Sequence, residues 1–284
     1  MMMDLIRRFE FRAISYEEDA SSLVDMHRCF EQLEGGWFDD EATCRMHQKI
    51  VGRSPGSSWV LSCERMIFGY ADLIQKCSGV GSVPRWRIHP DFRQPAVARK
   101  MFDGLCQEAR RREWHGLELF ADSEDVRQDL SSIGLKPDRC YFWTNPAEVT
   151  SDNGVETREE VHGDGDALIR EGWQSFLGSP LPLRFILTRA FLAAQYQQFH
   201  YRAPKFWRIA ARGNEYLACH DGREWHVFRR GKSDSDAEAV QPVIAVLDEL
   251  HPGRLMISEK AGDISGAPPA SDQRFWDFYV DRIG

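Results

Sequence analysis

The chain has 284 residues and contains no apolar run long enough for a membrane-spanning helix. Its first ten residues, Met1–Glu10, have no apolar core like that of a signal peptide. Basic residues are not in excess either, because 36 Lys and Arg stand against 44 Asp and Glu, a net charge of −8. We therefore expect neither a membrane nor a nucleic acid as partner.

Cysteine patterns typical of metal sites are also missing. The seven cysteines are odd in number and widely spaced, and none forms a Cys-x-x-Cys pair. Neither a zinc site nor a disulfide framework is indicated, so we predict a reduced, cytoplasmic protein without a metal. His220 and His226 with Asp221 raise the question of a metal pair. Their spacing matches no standard site, and scattered hairpin histidines are the preferred interpretation.

Apolar and aromatic residues are present in ordinary amounts, 42% and 12% of the chain. That composition is sufficient for packed cores, and the length fits two domains. The stretch Ala147–Gly165 is polar and rich in Asp, Glu and Gly, which is typical of a boundary. We predict an α/β fold with mixed sheets, divided into domains of residues 1–147 and 148–284.

The first half alternates strand and helix patterns in a definite order. Apolar alternation and turn residues predict one strand, two helices, three strands, a helix, a strand, a helix and a last strand. In chain order, the clearest segments are Phe9–Ile14, a helix capped by Asp19, a helix over Asp40–Ile50, the hairpin Ser58–Glu64 and Ile67–Gln75, a strand over Arg85–His89, a helix to Ala109, Leu117–Ala121, Ser123–Ser132 and Arg139–Trp143.

The stretch Val83–Ala109 is the centre of this pattern. It reads as a short strand, a tight turn and a long helix whose apolar residues lie on one face: Val97, Met101, Phe102, Leu105 and Ala109. A turn of small residues at a helix start presents free backbone N–H groups and the positive end of the helix dipole. Such an arrangement favours a phosphate site.

Within this stretch, Ile88-x-Pro90-x-x-Arg93-x-x-Ala96-x-Ala98 resembles the acyl-CoA signature of the GNAT N-acetyltransferases, V-x-P-x-x-(Q/R)-x-x-G-x-(G/A). Two positions depart from the family: Ala96 stands where Gly is preferred, and Pro95 cannot donate an N–H. The resemblance implies acetyl-CoA or another acyl-CoA as co-substrate. It also implies that backbone near Trp86 and Ile88 pairs with pantetheine, and that the following residues cradle the pyrophosphate: Arg93, Gln94, Ala96, Val97, Ala98 and Arg99.

The same resemblance implies that the strands Arg85–His89 and Leu117–Ala121 diverge to admit the acyl arm. The family's usual tyrosine acid would fall at Leu130, so it is absent. Tyr141 and Cys140, on the following strand, are substitutes, although a core aromatic is the preferred interpretation of Tyr141. Glu118, inside an apolar strand, is a candidate general base with a raised pKa if it is buried. A solvent-facing position is the alternative.

The second half repeats the order of two helices, a three-strand meander, a helix and a strand, without a repeat at the residue level. Its clearest segments are a strand over Glu156–Val161, a helix that begins near Pro182, strands over Phe206–Ala211, Glu215–His220, Trp225–Arg229 and Arg254–Ser258, and a closing helix or strand over Phe275–Tyr279. We therefore predict a diverged GNAT-like domain, with an unrelated α+β domain as the alternative. Between Arg229 and Val240 the chain has no Gly-rich turn, and Lys232–Glu238 is acidic. Negative charge at a helix start repels a pyrophosphate, so we do not expect this domain to bind CoA.

Together these patterns predict an acyl-CoA-dependent N-acyltransferase, with acetyl transfer to a small-molecule amine in the first domain. Two alternatives stay open. One is a GNAT-fold enzyme that uses another thioester or an aminoacyl donor. The other is a non-catalytic acyl-CoA-binding or assembly module. The sequence does not predict the acceptor, the acyl group or the oligomeric state.

Overall fold

The computed structural model of the chain describes most of the residues, in these ranges: 6–30, 41, 42, 44, 45, 58–77, 79–144, 146, 154–162, 165–177, 183, 186, 204–221, 224–230, 236–258, 274–281 and 283. Most of the predicted helix Asp40–Ile50, and most of the predicted helix beginning near Pro182, lie outside the described residues. The chain forms two compact units. The first consists of Met1–Asp138 and Asp277–Gly284, and the second of Arg139–Trp276.

The first unit is built on a mixed sheet. Its elements are β1 Glu10–Ala13, α1 Tyr16–Arg28, β2 Ser58–Cys63, β3 Met66–Cys77, β4 Val80–Ile88, a 3₁₀ turn at Pro90–Phe92, α2 Pro95–Arg111, β5 Gly116–Ala121, α3 Glu124–Ser132 and the C-terminal strand β13 Arg274–Asp281. The strand order is β1-β2-β3-β4-β5-β13. β1 to β4 are antiparallel neighbours, and β4 and β5 are parallel because helix α2 connects them.

Helix α2 packs its predicted apolar face against this sheet. All five predicted residues of that face are buried: Val97, Met101, Phe102, Leu105 and Ala109. Gly104 permits a close approach to β1, because a Cβ at that position would lie 2.3 Å from Cδ1 of Phe11. Burial of this stripe anchors the helix and fixes the position of its N-terminal turn.

Helix α1 begins three residues before the predicted cap. Ser15 is the N-cap residue, and Asp19 lies inside the first turn, where its Oδ2 accepts the Ser15 N–H at 2.8 Å. Arg12 of β1 holds the same carboxylate with two bonds of 2.7 Å. Asp19 therefore caps the helix from within it and ties it to β1.

The second unit also contains a mixed sheet. Its elements are β6 Arg139–Thr144, β7 Val155–Val161, α4 Gly165–Arg170, β8 Gln174–Leu177, β9 Lys205–Ala211, β10 Asn214–His220, β11 Glu224–Arg229, α5 Asp236–Leu250 and β12 Arg254–Ser258. The strand order is β6-β12-β11-β10-β9-β7, with β8 paired to β11. β9, β10 and β11 form an antiparallel meander, and β11 is parallel to β12.

Three strands differ from the prediction. β6, predicted to end the first domain, pairs with β12 in the second unit. β13, predicted as a helix or strand closing the second domain, contributes Asp277 and the residues after it to the first unit. β8 was not predicted at all. The predicted boundary at 147/148 differs from the division of these units and stays a prediction.

Among the described residues, no helix combines the length and the apolar composition needed to cross a membrane.

Candidate active site

The candidate site lies where β4 leaves β5. The two strands pair in parallel from Val80 opposite Gly116 to Val83 opposite Leu119, and no later pair is formed between them in the described residues. At the same point β4 has a β-bulge against β3. Asp72 pairs with Arg85 and Ile74 pairs with Ser82, so an advance of two residues on β3 corresponds to three residues on β4. A bulge bends a strand and ends regular pairing. The bulge therefore accounts for the departure of β4 from β5.

Beyond the bulge, one backbone edge of β4 is free of β5. The His89 N–H donates to the Phe68 C=O on β3 at 2.8 Å, so alternate residues of β4 direct their polar groups to β3. Trp86 and Ile88 alternate with those residues, so their backbone N–H and C=O groups point away from β3. Both side chains are fully buried. The backbone of these two residues thus lines the opening between the diverging strands.

An ion pair spans the mouth of this opening. Arg87 donates to both carboxylate oxygens of Asp122, the residue after β5, at 3.0 and 2.6 Å. Its Nη1 also donates to the C=O of Trp86 at 2.7 Å. Arg87 therefore satisfies a carbonyl on the open edge and holds the divergent ends of the two strands together.

The predicted phosphate turn is already tied to α3. Arg93 forms ion pairs with Asp125 and with Asp129, whose Oδ1 lies 3.3 Å from the arginine Nε. Arg99 donates to the C=O of Ile133 at the end of α3, and its guanidinium lies 5.9 Å from the ring centre of Phe102. Both arginines thus have protein partners on or beside the helix.

At the helix start itself, Pro95 is the first helical residue and has no N–H. The N–H groups of Val97 and Ala98 both donate to the C=O of Gln94 at 3.0 Å. Gln94 takes the N-cap position in an extended conformation, without a side-chain capping bond. Ala96 supplies the first helical N–H, at the positive end of the dipole of α2.

The two predicted catalytic residues lie in different units. Glu118 is on β5 of the first unit, paired in register with Ser82, and its half-buried carboxylate forms an ion pair with Lys76 of β3. Tyr141 is buried on β6 of the second unit, opposite Ser258 of β12. The structure therefore gives Glu118 a cationic partner.

No protein-family model and no curated protein matches the sequence. A protein of Pyrococcus horikoshii provisionally named an acetyltransferase matches 97% of this chain and 90% of its own, with 9% identity and a TM-score of 0.56. GCN5-related N-acetyltransferases of Anabaena variabilis and Kribbella flavida match 98% and 95% of this chain and 73% and 70% of their own, with 13% and 12% identity and TM-scores of 0.56 and 0.51.

The chain has the GNAT fold. At these identities the likeness is one of architecture, and the chemistry of the site has to come from the chain's own residues. The GNAT fold accounts for the element order read from the sequence and for the mixed sheet in which β4 and β5 diverge.

Sequence reasoning missed Asp72, on β3 of the GNAT fold. Its side chain is 1% exposed, and its Oδ1 accepts hydrogen bonds from Ser58 Oγ, at 2.8 Å, and from the Tyr70 hydroxyl. Its Oδ2 has no hydrogen-bond partner. Burial raises the pKa of Asp72, although Arg85, the two hydroxyls and Arg87 act in the opposite direction. The sequence does offer a signal for this residue, because Asp72 is the only acidic residue in the apolar run Ile67–Gln75.

Asp129 of α3 was missed as well. Its side chain is 4% exposed, and its Oδ2 has no hydrogen-bond partner. Burial raises the pKa of this carboxyl to about 6, against the opposing charge of Arg93. Nothing in the sequence indicates that Arg93 reaches α3, so the pairing had no signal there.

The second unit brings Glu224 beside Asp221 and His226, which the sequence had already raised as a question of a metal pair. Ligand atoms of Asp221, Glu224 and His226 lie within 4.8 Å of one another, and all three residues are buried. Arg254 donates to Glu224 Oε1 at 2.5 Å, and His226 Nε2 lies 3.4 Å from Asp221 Oδ2. The Arg254 guanidinium already offsets the charge of Glu224 without a cation.

Proposed function

We propose that the chain is an acyl-CoA-dependent N-acyltransferase whose active site lies in the first unit, with acetyl transfer to a small-molecule amine as the reaction. The observation that carries the proposal is the open edge of β4 beyond Val83, beside a strand that turns into helix α2. A strand edge offers N–H and C=O groups to an extended, amide-containing molecule, and the pantetheine arm of CoA is such a molecule.

In this proposal the donor binds along β4 and its pyrophosphate lies at the start of α2. Trp86 and Ile88 supply backbone groups to the arm, while Ala96, Val97 and Ala98 supply the positive end of the helix. Arg93, Gln94 and Arg99 complete the turn. Because Arg93 is paired with two carboxylates, its charge reaches a phosphate only in competition with Asp125 and Asp129.

The transfer requires that the amine lose a proton, attack the thioester carbon and displace the thiolate, which then takes up a proton. We propose Asp72 as the group that receives the amine proton, because one of its buried oxygens has no hydrogen-bond partner. Glu118 acts as the general base only when its carboxylate separates from the ammonium group of Lys76. The sequence-based assignment of Tyr141 as the acid for the thiolate stays a prediction, since this residue belongs to the second unit.

A charge placed at Ala96 tests the donor site. Ala96→Asp puts a carboxylate in the first turn of α2, which favours the helix by about 0.3–1 kcal/mol but repels a pyrophosphate. We expect CoA affinity, measured by isothermal titration calorimetry, to fall about ten-fold or more with the thermal midpoint kept.

The matched control is Ala96→Asn, which has nearly the same shape without the charge and should bind within about three-fold of the native chain. Equal CoA affinity in the Asp and Asn variants would place the phosphates elsewhere. Absence of CoA binding in the native chain would refute the proposed function itself.

A second candidate is a non-catalytic acyl-CoA-binding module. The observation that favours it is the ion pair of Glu118 with Lys76, which leaves that carboxylate engaged, together with the position of Tyr141 in the other unit. The two functions separate in one assay, the release of free thiol from acetyl-CoA in the presence of a panel of primary amines. Turnover supports the enzyme, and CoA binding without turnover supports the module. A cytoplasmic location is part of the proposal and rests on the cysteine pattern.

A further inference from the structure

In the second unit, strand β11 has two partners on one edge. Its other edge is taken along its length by β10, from Tyr216 opposite Arg229 to His220 opposite Trp225. β12 pairs in parallel with its first two residues, Glu224 and Trp225. β8 then pairs with it in the antiparallel direction, Val227 opposite Leu177, Phe228 opposite Ser175 and Arg229 opposite Gln174. The chain's own strand therefore fills the space where β12 has left β11.

The first unit presents the same arrangement, but there no strand of the described residues pairs with β4 in that space. There the meander β2-β3-β4 is followed by a helix and the parallel strand β5, as β9-β10-β11 is followed by α5 and β12. In both units the last meander strand leaves its parallel neighbour after a few residues. A buried strand edge needs hydrogen-bond partners. The second unit supplies them from β8, whereas in the first unit the Trp86 carbonyl relies on the Arg87 side chain.

The segment leading into β8 is firmly held. The guanidinium groups of Arg208 and Arg230 lie 5.6 and 5.3 Å from the ring centre of Trp173. Arg208 also donates to both oxygens of Glu171, at 2.6 and 2.8 Å, and Arg230 Nε donates to the Glu171 C=O at 3.2 Å. Cation–π contacts and charge-assisted bonds together fix the entry of the strand.

Phe176 anchors the strand itself. Its ring centre lies 5.5 Å from that of Tyr216, and the Arg229 guanidinium lies 5.1 Å from it. The same side chain packs against the buried core of the unit. An aromatic anchor in a core pocket beside main-chain pairing is the pattern by which sheets bind extended peptides.

We propose that the edge of β11 beyond Trp225, where β12 no longer pairs, is a strand-binding site for an extended peptide, and that its resident ligand is the chain's own segment Gln174–Leu177. It follows, on the basis of the proposed function, that one acyl-CoA binds per chain and that it binds in the first unit only.

The experiment follows exchange of the Val227 and Arg229 backbone amides of β11 in the full chain. The Arg230 N–H donates to the Glu215 C=O on β10, so the alternation along β11 directs these two amides away from β10. We expect these amides to exchange slowly with and without saturating CoA, and calorimetry to give one CoA per chain. In the double variant Trp173→Ala/Phe176→Ala they should exchange about ten-fold faster or more, because the opening of β8 then costs less free energy. A synthetic peptide with the sequence of residues 171–178 should restore slow exchange.

Protection of β9 and β10 shows that the variant is folded, and the single variant Phe176→Ala replaces it if that protection is lost. Glu159→Ala, at an exposed position of β7, is the matched control and should exchange as the native chain does. Failure of the peptide to restore protection in a folded variant would overturn the strand-binding site. Binding of a second CoA, or faster β11 exchange when CoA is added, would overturn it too. Absence of all CoA binding refutes the proposed function, while the peptide result still decides the site.

Discussion

At the scale of single residues, Asp129 links the phosphate turn to helix α3 at an electrostatic cost. Its carboxyl is buried beside Arg93, and its pKa is raised from the usual 3.8 to about 6. A carboxyl with a raised pKa binds a proton more tightly in the folded state than in the unfolded state. Its effect on stability is therefore most favourable at low pH and is lost as the pH rises from about 3.8 to about 6.

Asp129→Asn should remove this dependence. Between pH 4 and pH 7, the unfolding free energy of the variant should gain about 2 kcal/mol relative to the native chain, because the variant no longer has to ionise a buried group. Urea unfolding at the two pH values measures this difference. Asp125→Asn is the control, since Asp125 also pairs with Arg93 but is 62% exposed. An equal pH dependence in the native chain and in the Asp129→Asn variant would contradict the prediction.

Residue types on a helix face were predictable, but the partners of charged groups were not. The stripe of α2 from Val97 to Ala109 follows from spacing alone, and all of its predicted members are buried. Arg93 was expected to be available to a phosphate, whereas it pairs with α3 in the structure. The difference arises because ion pairs depend on which helices meet, and residue spacing specifies only the local geometry.

At the scale of elements, the contact between α2 and β1 depends on Gly104. A Cβ there would lie 2.3 Å from Cδ1 and 2.4 Å from Cγ of Phe11, whose ring stacks on Trp59 at 5.2 Å. The ring is confined between the helix and the neighbouring strand. Space at Gly104 is therefore part of the packing of the helix on the sheet.

Gly104→Ala should destabilise the first unit in spite of its better helix propensity. The overpacking cost is about 1–3 kcal/mol and the propensity gain about 1 kcal/mol, so we expect a net loss of about 1 kcal/mol. Phe11→Ala removes the clash, and in that background Gly104→Ala should stabilise the protein instead. A double-mutant cycle by urea unfolding measures the reversal. The same effect of Gly104→Ala in both backgrounds would show that the contact is unimportant.

Element order was predictable to a large extent, whereas strand pairing was not. β1 to β5, β7 and β9 to β12 fall at or near their predicted positions. β8 was not predicted because Gln174–Leu177 has only four residues and no alternating pattern. Its pairing depends on the edge of β11 that β12 leaves open, which no local pattern indicates. The open edge of β4 was anticipated only through the family resemblance, since no local pattern states where parallel strands part.

At the scale of the whole molecule, the first unit is completed by the C-terminal end of the chain. Phe278 is fully buried, and a Cβ added to Gly116 of β5 would lie 2.6 Å from the Tyr279 hydroxyl oxygen. The Ile283 N–H donates to the His115 C=O at 3.2 Å, and Arg110 Nε donates to the Ile283 C=O at 3.3 Å. β13 therefore covers β5, and the N-terminal sequence by itself lacks a strand of its sheet.

A chain ending at residue 273 should consequently lose stability in the first unit. Removal of Phe278 alone from a core costs about 3–5 kcal/mol, and the edge of β5 loses its partner. Amide exchange in β5 should accelerate and CoA affinity should fall, while β9 and β10 in the second unit keep their protection. A chain ending at Asp281 retains β13 and is the matched control, so its loss of stability should be small.

A peptide of residues 274–284 added to the shorter chain should restore protection of β5 if the strand acts by pairing. Unchanged β5 exchange in the shorter chain would mean that the first unit folds without β13.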